Sequence, residues 1–175
     1  MGKLNQRVLL IGMMGAGKSY RAQKLSSFFD VPWFDTDVMI EQEAGKTIKE
    51  IFEEKGGEVR FRKMENELLK TYPWPEGCIV SCGGGMPCFH NNMDKMLELG
   101  LVVWLNPDIA MLTERLWKET SHRPMVVNSS TREALEERLT ELYRVREPFF
   151  KRAGIEIKGN PSSKEFNEII MAAFN

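Results

Sequence analysis

Residues 12–19 constrain the fold of this chain more than any other part of its sequence. They read Gly-Met-Met-Gly-Ala-Gly-Lys-Ser and fit the pattern G-x-x-x-x-G-K-S/T, between an apolar run that ends at Ile11 and a segment with helical apolar spacing at 19–29. Glycine lets the backbone wrap around phosphate, and N–H groups at a helix N-terminus stabilise negative charge. The sequence therefore predicts a strand, a phosphate-binding loop (P-loop) and a helix, in that order.

Short apolar runs alternate with helical segments along the rest of the chain. Further strands are predicted at 32–35, 78–82, 101–105 and 155–158. Further helices are predicted at 37–44, 48–55, 58–70, 92–99, 108–117, 132–146 and 164–174. The buried runs do not alternate with polar residues, and helices separate them, so they indicate a parallel sheet covered on both faces.

Length and composition are those of one compact domain. The chain has 175 residues, 42% of them hydrophobic, and its 24 basic and 25 acidic residues leave a formal net charge of −1. No basic surface for nucleic acid is expected, and no run approaches the roughly 18 apolar residues of a membrane span. An odd number of closely spaced cysteines favours a reducing compartment. We expect a single domain over residues 1–175 that is cytoplasmic, monomeric, and binds neither nucleic acid nor membrane.

Two carboxylates stand at the end of the second predicted strand, where ligands of open α/β sheets bind. Asp35 could face a metal ion and its water shell. Asp37 could accept a proton from an attacking hydroxyl group, which phosphoryl transfer needs. An equally open alternative is that Asp37 only caps the helix that follows.

The helix predicted at 58–70 carries a candidate anion-binding arginine. Glu58, Arg62 and Glu65 fall near one helix face, so acids brace the guanidinium. This arrangement suits bidentate binding of a carboxylate, and an exposed salt bridge is the alternative. Three glycines at 83–85 follow a buried strand and permit close approach of the backbone to a substrate or γ-phosphate, although a flexible turn is also possible.

Residues 118–130 are polar and lack periodic apolar positions, which predicts a mobile loop. Arg123 lies in this loop and is followed by Pro124, which discourages helix. Its guanidinium could reach the transferring phosphoryl group, or it could be an ordinary solvated residue.

Taken in order, these motifs resemble those of the shikimate kinase family over about residues 7–161. The resemblance rests on the P-loop, residues 34–37, 57–62 with Glu65, the three glycines, Arg123-Pro124 and residues 146–149. It implies a three-layer P-loop kinase fold with a five-stranded parallel sheet flanked by helices. It further implies that the γ-phosphate of ATP is transferred to the 3-hydroxyl of shikimate with the help of Mg²⁺. One departure is Cys82, which stands where the family commonly has Thr.

The resemblance also implies roles for the matching residues. Lys18, Asp37 and Arg123 would be catalytic, with Asp37 as the base, and Ser19 and Asp35 would serve the metal. The substrate would contact Asp37 and Arg62, which lie in a substrate-binding segment at about 37–70, and also Gly84, Gly85 and Arg146. Residues at about 118–130 would form a lid. ATP would contact Gly12, Gly15, Ala16, Gly17, Lys18, Ser19, Tyr20, Arg115, Arg123 and Asn160.

Other readings of the sequence remain. Another small-metabolite kinase, for example for gluconate or a nucleoside phosphate, would share the P-loop, although two arginines favour a carboxylate-bearing substrate. A nucleotide-gated switch or an inactive binding module is a non-enzyme alternative, but the chain has no Asn-Lys-x-Asp sequence for guanine. Zinc binding by Cys82, Cys88 and His90 fits no standard ligand spacing.

Overall fold

The computed structural model describes residues 4–120 and 131–174, apart from the side chains of residues 119 and 120. Arg123 and most of the predicted lid lie outside these described residues. The strands are β1 (Val8–Ile11), β2 (Trp33–Asp35), β3 (Ile79–Ser81), β4 (Leu101–Asn106) and β5 (Ile155–Lys158). The helices are α1 (Lys18–Phe29), α2 (Thr36–Ala44), α3 (Ile48–Glu53), α4 (Gly57–Thr71), α5 (Asn92–Leu99), α6 (Ile109–Thr120), α7 (Arg132–Phe150) and α8 (Ser163–Ala172). A short 3-10 helix, Met86–Cys88, precedes α5.

The strands form one parallel sheet in the order β2-β3-β1-β4-β5. Val8 of the central strand β1 pairs with Ile79 on one side and Leu101 on the other. All carboxyl ends of parallel strands meet at one edge, which is where such sheets bind ligands. The P-loop, the carboxylates after β2 and the glycines after β3 are therefore neighbours. The predicted five-stranded parallel sheet flanked by helices is confirmed.

The core explains why these segments are strands. Every residue of β1 is buried, as the unalternating apolar run predicts. Trp104 of β4 and Phe150 at the end of α7 are both buried, with ring centroids 5.7 Å apart. Helix α7 was predicted to end at Arg146, before Pro148, but it continues to Phe150. Proline removes one N–H donor from the last turn of α7, while burial of the Phe150 ring stabilises that turn.

Within residues 4–120 and 131–174, no helix is both long and apolar enough to span a membrane.

Candidate functional site

The P-loop folds around its own lysine. Gly12 has φ of 138°, and a Cβ atom at this position would collide with the Leu105 carbonyl oxygen. The Lys18 ammonium donates to the carbonyl oxygens of Gly12 and Met13, at 3.0 Å each. Gly17 has φ of 86° and precedes the first residue of α1, so the free N–H groups of that helix face the loop.

A cavity of 480 Å³ lies along the P-loop. Its lining combines the loop and the start of α1 with residues from α6 and from the segment after β5: Gly15, Ala16, Gly17, Lys18, Ser19, Tyr20, Arg21, Arg115 and Asn160. Arg115 donates to the Gly15 carbonyl oxygen at 3.1 Å. The structure thus brings the residues predicted for ATP together, except Gly12, which is buried at the end of β1, and Arg123, which is not among the described residues.

Three oxygen-bearing side chains meet beside the P-loop. Ser19 Oγ donates to Asp35 Oδ2 at 2.6 Å and lies 3.1 Å from Ser81 Oγ. Hydroxyl and carboxylate oxygens are the ligands that Mg²⁺ prefers, and this ion is usually held by one or two protein groups together with phosphates. The donor set therefore fits Mg²⁺ at the position predicted for Ser19 and Asp35.

Asp35, and not Asp37, is the N-terminal cap of α2. Asp35 Oδ1 accepts the backbone N–H of Asp37 at 3.1 Å, so the capping alternative for Asp37 is wrong. Asp37 Oδ1 is buried and has no hydrogen-bond partner among the described residues. Burial raises the pKa of Asp37, and the charge of Asp35 raises this pKa further, whereas the positive charge of Lys18 lowers it. Asp37 thus keeps a free acceptor beside the P-loop.

Arg62 is buried, and the exposed salt-bridge alternative for it is wrong. Its guanidinium donates from Nη1 to Glu65 Oε2 at 2.9 Å and from Nη2 to Glu58 Oε1 at 3.4 Å. Arg62 is 8% exposed and Glu65 is fully buried. Burial raises the pKa of Glu65 to about 7, although the Arg62 charge opposes this shift. Arg62 Nε and Glu65 Oε1 have no partner within the part of the chain that the structure describes.

A second arginine reaches the same place from α7. Arg146 Nη1 donates to the Gly84 carbonyl oxygen at 3.3 Å. Gly85 faces the Arg62 guanidinium so closely that a Cβ atom there would lie 2.8 Å from Nη1. The structure therefore gathers Asp37, Arg62, Gly84, Gly85 and Arg146, the residues predicted for the substrate, around the glycine segment.

Thr36, Ser81 and Arg21 escaped the sequence analysis, which named Gly83 only as part of the glycine segment. Gly83 donates its N–H to Thr36 Oγ1 at 2.9 Å. A Cβ atom built on Gly83 would lie within 3 Å of Asp37 Oδ1 and of Glu65 Oε1. The Gly83–85 segment is therefore held in place, in contrast to the flexible turn considered above. Ser81 and Arg21 carried a detectable signal, because each is a polar residue at a core-facing position of its strand or helix.

The thiols of Cys82 and Cys88, on either side of the three glycines, have raised pKa values. Burial raises the pKa of Cys82 far above the ordinary thiol range, and its Sγ lies 3.8 Å from the Val80 carbonyl oxygen as a weak donor. Cys88 lies nearer to Arg146 and Arg62, and burial raises the pKa of its thiol to about 11. Both thiols stay protonated at neutral pH.

Comparison with known proteins agrees with this geometry. The sequence model of the family described as shikimate kinase matches residues 14–173. A shikimate kinase of Flavobacterium johnsoniae is 40% identical over 133 residues, which is 75% of this chain and 77% of that protein. The structure of shikimate kinase from Acinetobacter baumannii in complex with shikimate aligns with a TM-score of 0.83 and 27% identity, over 97% of this chain and 92% of that one.

A gluconokinase from Sinorhizobium meliloti aligns with a TM-score of 0.61 and 16% identity, over 98% of this chain and 92% of that one. This likeness extends to the fold alone. The family model and the relative from Flavobacterium johnsoniae, by contrast, cover most of the sequence. The chain belongs to the shikimate kinase family.

Proposed function

We propose that the cavity along the P-loop holds ATP and that the Asp37–Arg62–Arg146 region holds shikimate, whose 3-hydroxyl receives the γ-phosphoryl group. The observation that carries this division of the site is the pair of arginines beside the glycine segment, of which Arg62 is buried and Arg146 is partly buried. Two guanidinium groups that converge on a backbone segment suit the carboxylate of an acidic polyol. The neighbouring Asp37 supplies a hydroxyl acceptor between this region and Lys18.

At the donor side, the backbone N–H groups of the P-loop and the ammonium of Lys18 bind the phosphates. Lys18 donates to two loop carbonyl groups, and it would exchange these contacts for β- and γ-phosphate oxygens. Ser19 and Asp35, with Ser81 beside them, would hold Mg²⁺. The bound ion would neutralise charge on the phosphate oxygens during transfer.

At the acceptor side, Arg62 and Arg146 bind the substrate carboxylate and so orient the 3-hydroxyl. Asp37 takes the proton of this hydroxyl, its oxygen bonds to the γ-phosphorus, and the bond from that phosphorus to the bridging oxygen breaks to release ADP. Burial and the Asp35 charge raise the pKa of Asp37, which makes it a stronger base than an exposed aspartate. Lys18 lies close enough to oppose this shift, and its charge stabilises the ionised form.

We also propose that Arg123 delivers a positive charge to the phosphoryl group in the transition state. This role follows from the family resemblance and from its position in the polar segment at 118–130. The cytoplasmic location and the monomeric state stay predictions.

An assay of ADP release tests the proposal. Wild-type protein with ATP and Mg²⁺ should turn over shikimate and leave gluconate and nucleoside monophosphates unreacted. Asp37→Asn should lower kcat about 100-fold or more while ATP binding persists, because an amide cannot take the proton. Glu43→Gln, on the exposed side of the same helix, is the matched control. Turnover of gluconate instead of shikimate, or full activity of Asp37→Asn, would refute the proposed reaction or the proposed base respectively.

A further inference from the structure

Arg21 is a buried charge on α1 that the proposed reaction does not use. It is 8% exposed, and it lies between Tyr20 and Ala22 in the first turns of the helix that follows the P-loop. A buried guanidinium is costly unless acceptors satisfy its N–H groups. The partners of Arg21 therefore indicate why a charge is tolerated at this core-facing position.

Among the described residues, the Arg21 guanidinium donates to two acceptors, and they lie in the short segment between β5 and α8. Its Nη2 donates to Asn160 Oδ1 at 3.3 Å and, by a shorter contact, to the Pro161 carbonyl oxygen. These acceptors are 139 and 140 positions away along the chain. One guanidinium group thus connects the helix of the P-loop to the segment that starts α8.

An aromatic ring also packs against the Arg21 guanidinium. Arg21 Cζ lies 4.7 Å from the centroid of the Phe166 ring, and Phe166 is buried in α8. A planar guanidinium stacked on a ring loses little further freedom when it donates hydrogen bonds. The start of α8 is itself ordered by a capping box between Ser162 and Glu165. Residues 160–162 are therefore held from both sides.

The same segment borders the nucleotide cavity. Asn160 lines that cavity together with Arg115, which is attached to the P-loop through the Gly15 carbonyl oxygen. If the P-loop takes the phosphates, the base and ribose must meet the part of the cavity formed by Tyr20, Arg115 and Asn160. Any displacement of residues 160–161 would widen this part and leave the phosphate-binding part unchanged.

We propose that Arg21 is a positioning residue for the nucleoside half of ATP: it holds the Asn160–Pro161 segment against the cavity, opposite Arg115. The proposal rests on the proposed function only in taking ATP as the phosphoryl donor. The Arg21 guanidinium donates to residues 160 and 161, so its loss should affect nucleotide affinity and spare the chemical step.

Arg21→Met is the most informative variant, because it keeps an unbranched side chain against Phe166 and removes every donor. Calorimetry would measure the Kd of ATP and of inorganic tripolyphosphate, each with Mg²⁺. We expect ATP binding to weaken about 10-fold and tripolyphosphate binding to change less than about twofold, since one lost pair of hydrogen bonds is of this order. Arg21→Lys should retain part of the affinity for ATP, because its ammonium group still donates hydrogen bonds. It should not retain all of it, because an ammonium group cannot reproduce the planar set of donors of a guanidinium. Lys24→Ala is the matched control, as Lys24 is an exposed cation one turn further along α1.

In the ADP-release assay, Arg21→Met should raise the KM for ATP and leave the KM for shikimate and kcat nearly unchanged. Equal weakening of ATP and tripolyphosphate would mean that Arg21 supports the P-loop as a whole, and it would overturn the proposal. So would unchanged ATP affinity in both Arg21 variants. The binding measurement needs no turnover, and it therefore stays decisive even if shikimate is not the acceptor.

Discussion

At the residue scale, the absence of a side chain at Gly83 allows two carboxyl groups to approach the same point. A Cβ atom built on Gly83 would lie 2.7 Å from both Asp37 Oδ1 and Glu65 Oε1. Real Cβ atoms do not come so close to oxygen, so any larger residue must displace the proposed base, the buried glutamate, or both. The φ angle of Gly83 is not in the left-handed region, and the glycine is needed here for space alone.

We therefore expect Gly83→Ala to lower kcat by about 10- to 100-fold with little change in ATP affinity, because displacement of catalytic groups by a fraction of an ångström to an ångström costs rates of this order. Steady-state kinetics and ATP calorimetry would measure both quantities. Gly154→Ala is the control, since Gly154 lies before β5 and a Cβ there meets only Leu101 Cδ1 at 3.3 Å and the Val102 carbonyl oxygen at 3.7 Å. Equal activity of the two alanine variants would contradict the steric role of Gly83.

At the element scale, α4 carries Arg62 and Glu65, and its position depends on the tight junction with α3. Gly57, the first residue of α4, packs directly on the end of α3, where a Cβ atom would collide with the Ile51 carbonyl oxygen and lie 2.8 Å from Phe52 Cα. The helix ends at Thr71, one residue beyond the predicted end at 70 and two residues before Pro73. A shift at Gly57 would move the arginine and the glutamate together.

Gly57→Ala should lower the free energy of unfolding by about 2 kcal/mol or more, because the collision with backbone atoms outweighs the higher helix propensity of alanine. Urea unfolding would measure this loss, and the KM for shikimate should rise in the same variant. Gly45→Ala makes a useful comparison, since Gly45 has φ of 62° but no atom within 4 Å of a built Cβ. Gly45→Ala should lower the free energy of unfolding by about 1 kcal/mol, through backbone strain alone. A Gly57→Ala protein as stable as the Gly45→Ala protein would exclude the proposed junction.

At the scale of the whole molecule, the buried Glu65 makes the unfolding free energy depend on pH. Burial raises its pKa from 4.5 to about 7; Arg62 opposes the shift, Asp37 adds to it and Arg146 reduces it. Between these two pKa values the folded chain holds a proton that the unfolded chain has released. The contribution of this group to stability is therefore greatest below pH 4.5 and is lost as the pH rises through about 7.

Comparison with Glu65→Gln isolates this contribution, since glutamine does not titrate. The free energy of unfolding of the wild type, minus that of the variant, should fall by about 1–3 kcal/mol from pH 5 to pH 8. Urea titrations at several pH values would measure it. A difference that stays constant over this range would show that Glu65 titrates with an ordinary pKa.

Much of the fold and part of the site could be predicted from local patterns. The P-loop at 12–19 and the apolar run before it depend on glycine conformations and periodicity within a few residues, and the structure has a strand, loop and helix there. The position of Asp35 and Asp37 at the carboxyl edge follows from the parallel sheet. The end of α7 could not be predicted in this way, because Phe150 extends the helix by burial against Trp104 of a distant strand.

The sequence by itself determined the order of the elements, the parallel sheet and the edge at which the candidate residues stand, since each depends on short-range spacing. The tertiary structure alone decided that Arg62 and Glu65 are buried, that Asp35 caps α2, and that Gly83 lies beside two carboxyl groups. It also decided that Arg21 meets Asn160, 139 positions away. The physical reason is that burial, and with it each pKa and each unpaired oxygen, depends on which distant segments pack together, and residue spacing does not encode those contacts.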